Sequence, residues 1–166
     1  MQAREVVLCH PVRTAIGTYN GTLKATPATE LGSAVVRETL RRSGLDPARI
    51  GSVVMGNVIQ AGNRMNPAGQ AALNGGVPVA VPAMTVNRIC GSGAQAIATA
   101  AQEIWLGHVD TAIAGGMETW IRRLPSFPAG AGASAWVMPR STTACCATVS
   151  TTRSRDSTQV GTPRIW

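Results

Sequence analysis

A chain of 166 residues is long enough for one domain with a real core and short for two. Its net charge of +7 comes mostly from the end: residues 1–119 hold nine Lys/Arg against seven Asp/Glu, whereas residues 120–166 hold six Arg against Asp156 alone. Those arginines are scattered among Ser, Thr and Pro without a stripe or recognition motif, which argues against nucleic acid as a partner, and no apolar run approaches the length of a membrane span.

Met1 to Glu5 carries charges and leads into a strand-like run rather than an apolar signal core, so a soluble, cytoplasmic protein is expected. Glu5 to Cys9 suits a buried strand, and Pro11 with the Gly/Thr/Asn-rich stretch to Lys24 reads as a loop. From Thr29 to Arg42, Leu31, Ala34, Val35 and Leu40 mark one helical face, Arg37, Glu38 and Arg41 fall elsewhere, and Ser43-Gly44 stops the helix. Gly51 to Val58 reads as a second buried strand. Asn66 is placed to cap a helix with Pro67 in its first turn and Asn74-Gly75-Gly76 at its end. Ala83 to Val86 is a third strand, and Gly91 to Leu106 a helix so poor in charge that burial is expected. Gly107-His108 is its exit. Thr111 to Ala114 is a fourth strand, closed by Gly115-Gly116. The alternation predicts an α/β layer architecture with helices on the sheet. After Thr119 both periodicities vanish, and the composition predicts a disordered tail over residues 120–166.

The four cysteines show neither metal-ligand spacing nor a disulfide framework. Cys90 stands apart. It sits at a strand-to-helix joint and is followed by Gly91-Ser92-Gly93, which clears bulk from beside it. A thiol at a helix N-terminus meets the partial positive charge of unpaired amides, which favours thiolate. Its backbone N–H can face an oxygen that becomes negative during acyl transfer. The joint has the mechanics of a nucleophile elbow, with a thiol in place of a hydroxyl. From these residues alone, the favoured reading of Cys90 is a small buried hydrophobe beside packing glycines. Cys9 lies within a strand, Cys145-Cys146 lies in the irregular tail, and neither is given a role. His10 and His108 are the only histidines, and both read as structural.

"PVRTAIGTYNGTLK", "VVMGNVIQAGNRMNPAGQAALNGGVP", "TVNRICGSGAQAIATAAQEI" and "AGGMET" follow one another over residues 4–119. This ordered set resembles the N-terminal part of the thiolases, the acetyl-CoA acetyltransferase and 3-ketoacyl-CoA thiolase family. The resemblance implies a partial thiolase-like domain: a mixed sheet flanked by helices, lacking its last strand. It implies that Cys90 is the acyl-carrying nucleophile and that its N–H contributes to an oxyanion hole. It also implies a coenzyme A thioester as substrate with no cofactor or metal, a role in fatty acid metabolism, and a homo-oligomer in the intact family member. The family's histidine base, second cysteine, oxyanion asparagine and most coenzyme A contacts belong to regions without a match here. The isolated chain is therefore expected to be inactive, and no cofactor-binding residue is assigned.

Codon degeneracy accounts for the tail. Read one nucleotide back with suitable synonymous codons, Trp120 to Trp166 contains "RMGHAEVYDSMLRDG", which resembles the thiolase continuation. Residues 120–166 are thus expected to be a frameshift product. Two alternatives compete with the leading reading: a ketoacyl-synthase-like condensing enzyme, and a non-catalytic fragment that pairs with a thiolase subunit.

Overall fold

The computed structural model describes residues 5–18, 21–119 and 143–150. In chain order the elements are β1 (Val7–Arg13), α1 (Ala28–Ser43), β2 (Ser52–Gly56), α2 (Pro67–Gly75), β3 (Ala83–Val86), α3 (Ser92–Trp105), β4 (Thr111–Glu118) and β5 (Thr143–Ser150). The strands form one sheet in the order β1-β5-β4-β2-β3. β4, β2 and β3 run parallel, while β5 is antiparallel to both of its neighbours, β1 and β4.

β2 is buried at all five positions because helices cover both sides of it. Val53 and Met55 face α1 and α2, where they meet Leu31, Val35, Val36, Ala68 and Ala71. Val54 turns the other way, onto Ala96, Ala100 and Ile104 of α3. β4 divides likewise, with Ile113 and Met117 on the first side and Ala112 and Ala114 on the second. The period-two alternation of side chains thus produces two separate cores from one pair of strands. Alanines predominate on the α3 side, so that helix lies close to the sheet.

Helix ends follow local chemistry. The Asn66 side chain accepts from the Gly69 amide, Pro67 occupies the first turn, and Gly76 closes α2 at φ 100°. Gly44 ends α1 at φ 63°.

The mixed sheet flanked by helices is as expected, but four local expectations need correction. The sheet does not lack a fifth strand: Thr143–Ser150 pairs with Val7–Arg13 on one side and Thr111–Glu118 on the other. That segment contains no Gly, Pro or charged residue, and Thr143, Thr148 and Val149 favour extended backbone. It satisfies the ladder groups of two strands at once, so long-range pairing prevails over a composition that reads as irregular. The rest of the expected disordered tail, residues 120–142 and 151–166, lies outside the described residues.

β1 continues through Pro11 rather than ending before it. It is an edge strand with a bulge between Cys9 and Val12, where a missing N–H is tolerated. β4 runs on through Gly115 and Gly116, which admit a close neighbour and do not stop the strand. Finally, α3 is buried along one face only. Ala96, Ala100, Ala101 and Ile104 are covered, while Trp105 is 54% exposed.

Candidate active site

Between the end of β3 and the start of α3 the chain turns through Asn87–Gly91. Ile89 lies there at φ 51°, a left-handed conformation that a β-branched residue rarely adopts. Several hydrogen bonds hold it. The Ile89 amide donates to Asn87 Oδ1 at 3.0 Å. Ser92 Oγ donates to the Ile89 carbonyl at 2.6 Å and accepts from the Arg88 amide at 2.9 Å. The amides of Gly91 and Ser92 donate back to the carbonyls of Arg88 and Ile89. Cys90 is consequently carried at the crest of a fixed turn, and it is exposed. α3 begins directly behind it without a capping side chain, so the positive end of the helix faces the turn.

The turn lies low over the sheet because glycines meet beneath it. A Cβ on Gly56 would fall 2.5 Å from the Ser92 carbonyl carbon and 2.7 Å from the Gly93 nitrogen. A Cβ on Gly116 would fall 3.2 Å from Gly93 Cα. Backbone therefore packs on backbone where α3 starts, at the carboxyl ends of the parallel strands β2 and β4. A cleft of about 200 Å³ opens there, walled by Asn57, Val58, Ile89, Cys90, Met117 and Glu118. Crevices at the carboxyl ends of parallel strands are the usual ligand positions of α/β sheets.

Glu118 is the one acid among the cleft's lining residues. Its Oε2 accepts from the Val58 amide at 2.7 Å, the Ile59 amide at 3.3 Å and Asn57 Nδ2 at 3.3 Å. Asn57, only 1% exposed, also donates to the Met117 carbonyl at 3.0 Å. Burial pushes the Glu118 carboxyl above the usual glutamate range. Hydrogen bonds from the amides of Val58, Ile59 and Thr119 and from Asn57 oppose that push.

The histidines lie away from this cleft. His10 is exposed at the bulge of β1, with φ 51°. His108 follows α3 and lines a second cleft with Ser52, Pro82, Glu103 and Val109, beside the amino ends of β2 and β3. Cys9 is half-buried in β1. Cys145 and Cys146 stand in β5, between the backbones of β1 and β4. Sequence reasoning singled out Cys90 but missed Glu118, Asn57 and Asn87. An acid two residues beyond a glycine pair within the strand, and an asparagine three residues before the thiol, were the available signals.

A family model described as the thiolase N-terminal domain matches residues 6–154. A probable acetyl-CoA acyltransferase of Staphylococcus epidermidis is 51% identical over 114 residues, which cover 69% of this chain and 29% of that protein. The beta-ketothiolase BktB of Cupriavidus necator is 54% identical over 120 residues, 72% of this chain and 30% of that protein. The crystal structure of the Bacillus anthracis acetyl-CoA acetyltransferase superposes with a TM-score of 0.71 at 34% identity, over 83% of this chain and 36% of that one. The chain thus spans under a third of the length of these curated relatives. It belongs to the thiolase family and corresponds to the family's N-terminal domain.

Proposed function

We propose that Cys90 is the acyl-accepting nucleophile of a thiolase-type acyltransferase, and that its backbone N–H helps to stabilise the oxyanion of the transfer. The observation that carries the proposal is the placement of one exposed thiol on a rigid turn, at the uncapped start of α3, over the cleft at the carboxyl ends of β2 and β4. Thiolases use coenzyme A thioesters as substrates and need no cofactor. The Cys90 sulfur would attack the thioester carbonyl carbon, the carbonyl oxygen would take up negative charge beside the helix end, and coenzyme A thiol would leave. The resulting acyl-cysteine would then pass its acyl group to the carbanion of a second acyl-CoA, forming a carbon–carbon bond and freeing the thiol. In the opposite direction Cys90 would attack the keto carbon of a 3-ketoacyl-CoA, the carbon–carbon bond would break with the acyl-CoA carbanion leaving to take a proton, and the acyl group would pass to coenzyme A.

No histidine lines the Cys90 cleft among the described residues. Acylation without turnover is therefore the expected behaviour of the isolated chain. The proposed setting is cytoplasmic fatty acid metabolism, and no helix among the described residues is long and apolar enough to cross a membrane. The intact family member is proposed to be a homo-oligomer.

The test uses p-nitrophenyl acetate, an activated acyl donor, followed by peptide mapping. The acetyl group should reach Cys90 ahead of Cys9, and Cys90→Ser should remove it. Equal labelling of all four cysteines would overturn the assignment. The residues beyond Thr119 are proposed to be a one-nucleotide frameshift product, on the ground that Trp120 to Trp166 read one nucleotide back resembles the thiolase continuation; the family model itself extends to residue 154. Sequencing the gene around codons 119 and 120 checks it. A thiolase-like reading one nucleotide back is expected, and its absence would refute the proposal.

A further inference from the structure

The bonds around the cleft join into one path when followed from the sheet to the thiol. Glu118, at the end of β4, accepts the Val58 amide on Oε2 at 2.7 Å. The Val58 carbonyl accepts Asn87 Nδ2 at 3.0 Å. Asn87 Oδ1 in turn accepts the Ile89 amide at 3.0 Å, and Ile89 precedes Cys90 at φ 51°. Three segments far apart in sequence are tied together in this way. An amide side chain can bridge them because it donates and accepts at once. A β-branched residue keeps a positive φ only where its surroundings impose it.

We propose that Glu118 and Asn87 are positioning residues for Cys90: linked through Val58, they hold Ile89 in its left-handed conformation and so set the directions of the Cys90 thiol and amide. The proposal rests on the role of Cys90 as acyl acceptor given above. Neither residue touches the acyl group. Their effect is on geometry, and it should be felt where geometry matters. Acyl transfer forms an oxyanion and senses where the Cys90 amide points, whereas alkylation by iodoacetamide forms none and needs only an exposed sulfur.

The experiment compares the full chain with Asn87→Ala, Glu118→Ala and Glu118→Gln. Acetylation by p-nitrophenyl acetate and alkylation by iodoacetamide are read at Cys90 relative to Cys9 in the same sample. Both alanine variants should lower the acetylation ratio on the order of tenfold, since small displacements of reacting groups carry costs of that size or larger. The alkylation ratio should stay within about twofold, because exposure of the sulfur is unchanged. Glu118→Gln keeps an acceptor for the Val58 amide and should restore most of the loss. The double alanine variant should match either single one, since both cut the same path. Unchanged acetylation in both alanine variants, or equal loss of acetylation and alkylation, would overturn the positioning role. Amide hydrogen exchange at Ile89 separates this failure from that of the acylation proposal. A wild-type chain without acetyl preference for Cys90, but with Ile89 exchange accelerated in Glu118→Ala, would refute Cys90 as acyl acceptor and leave the positioning path standing.

Discussion

Gly56 decides how near the start of α3 can come to the sheet, and so where Cys90 stands. A methyl group there would meet backbone atoms of Ser92 and Gly93, which cannot rotate away as a flexible side-chain tip could. Gly56→Ala should therefore cost about 1–3 kcal/mol, the range of overpacking, and displace the Cys90 turn. Gly116→Ala, with 3.2 Å to Gly93 Cα, should cost less. Urea denaturation of the two variants checks the order, and a larger loss for Gly116→Ala would contradict it. Glu118 supplies a pH signature at the same scale. Its folded-state pKa is raised above 4.5, so the folded chain holds the proton more tightly than the unfolded chain. That contribution to stability is fully present below 4.5 and is lost as pH rises through the folded value. Glu38 is held down to about 2, first by hydrogen bonds from Arg41 and Arg42, so its window lies below 4.5 and does not overlap. Glu118→Gln should flatten the fall of stability across the weakly acid range above 4.5, as read from urea midpoints against pH.

α2 is fastened to β3 by one side chain with several tasks. Asn66 caps the helix through the Gly69 amide, donates to the Ala83 carbonyl at 2.9 Å and accepts from Thr85 Oγ1 at 2.9 Å. It does so at φ 45°, a conformation asparagine tolerates better than most residues. Thr85 Oγ1 also accepts the Ala68 amide, so the first turn of the helix and the edge strand share one small network. Asn66→Ala removes the cap, the strand tie and the tolerance of positive φ together. A loss of about 2 kcal/mol, at the upper end for a cap, is expected in thermal or urea unfolding. Thr85→Val should cost less, since the cap itself survives.

Across the whole molecule, β5 is the joint on which β1 depends. β1 pairs with β5 and with no other described strand, and β5 also covers the edge of β4. A chain ending at Thr119 should leave the backbone groups of β4 unpaired along that edge, an open template for a second chain. Concentration-dependent association in sedimentation velocity, greater than that of the full chain, is the expected outcome. A truncated chain that associates no more than the full chain would show that β5 adds nothing to the closure of the sheet.

Much of this fold was legible residue by residue. The Asn66-Pro67 start and Gly76 end of α2, the apolar face of α1 and the run Ala83–Val86 are local signals, each readable within about one turn or strand. Cys90 was legible too, as a thiol at a strand-to-helix joint beside glycines, and the ordered blocks around it identified the family. Other features were beyond such reading. The meeting of Gly56, Gly93 and Gly116, and the path from Glu118 through Val58 to Asn87, join residues as much as 60 apart in sequence. The pairing of Thr143–Ser150 likewise depends on two strands formed far earlier in the chain. Local propensity and side-chain period are properties of a short segment, so the sequence by itself determined most elements, the family and the residue proposed here as nucleophile. Close backbone approach, hydrogen bonds between distant segments and the filling of a slot in a sheet exist only once those segments share a space, so tertiary structure alone decided how Cys90 is held.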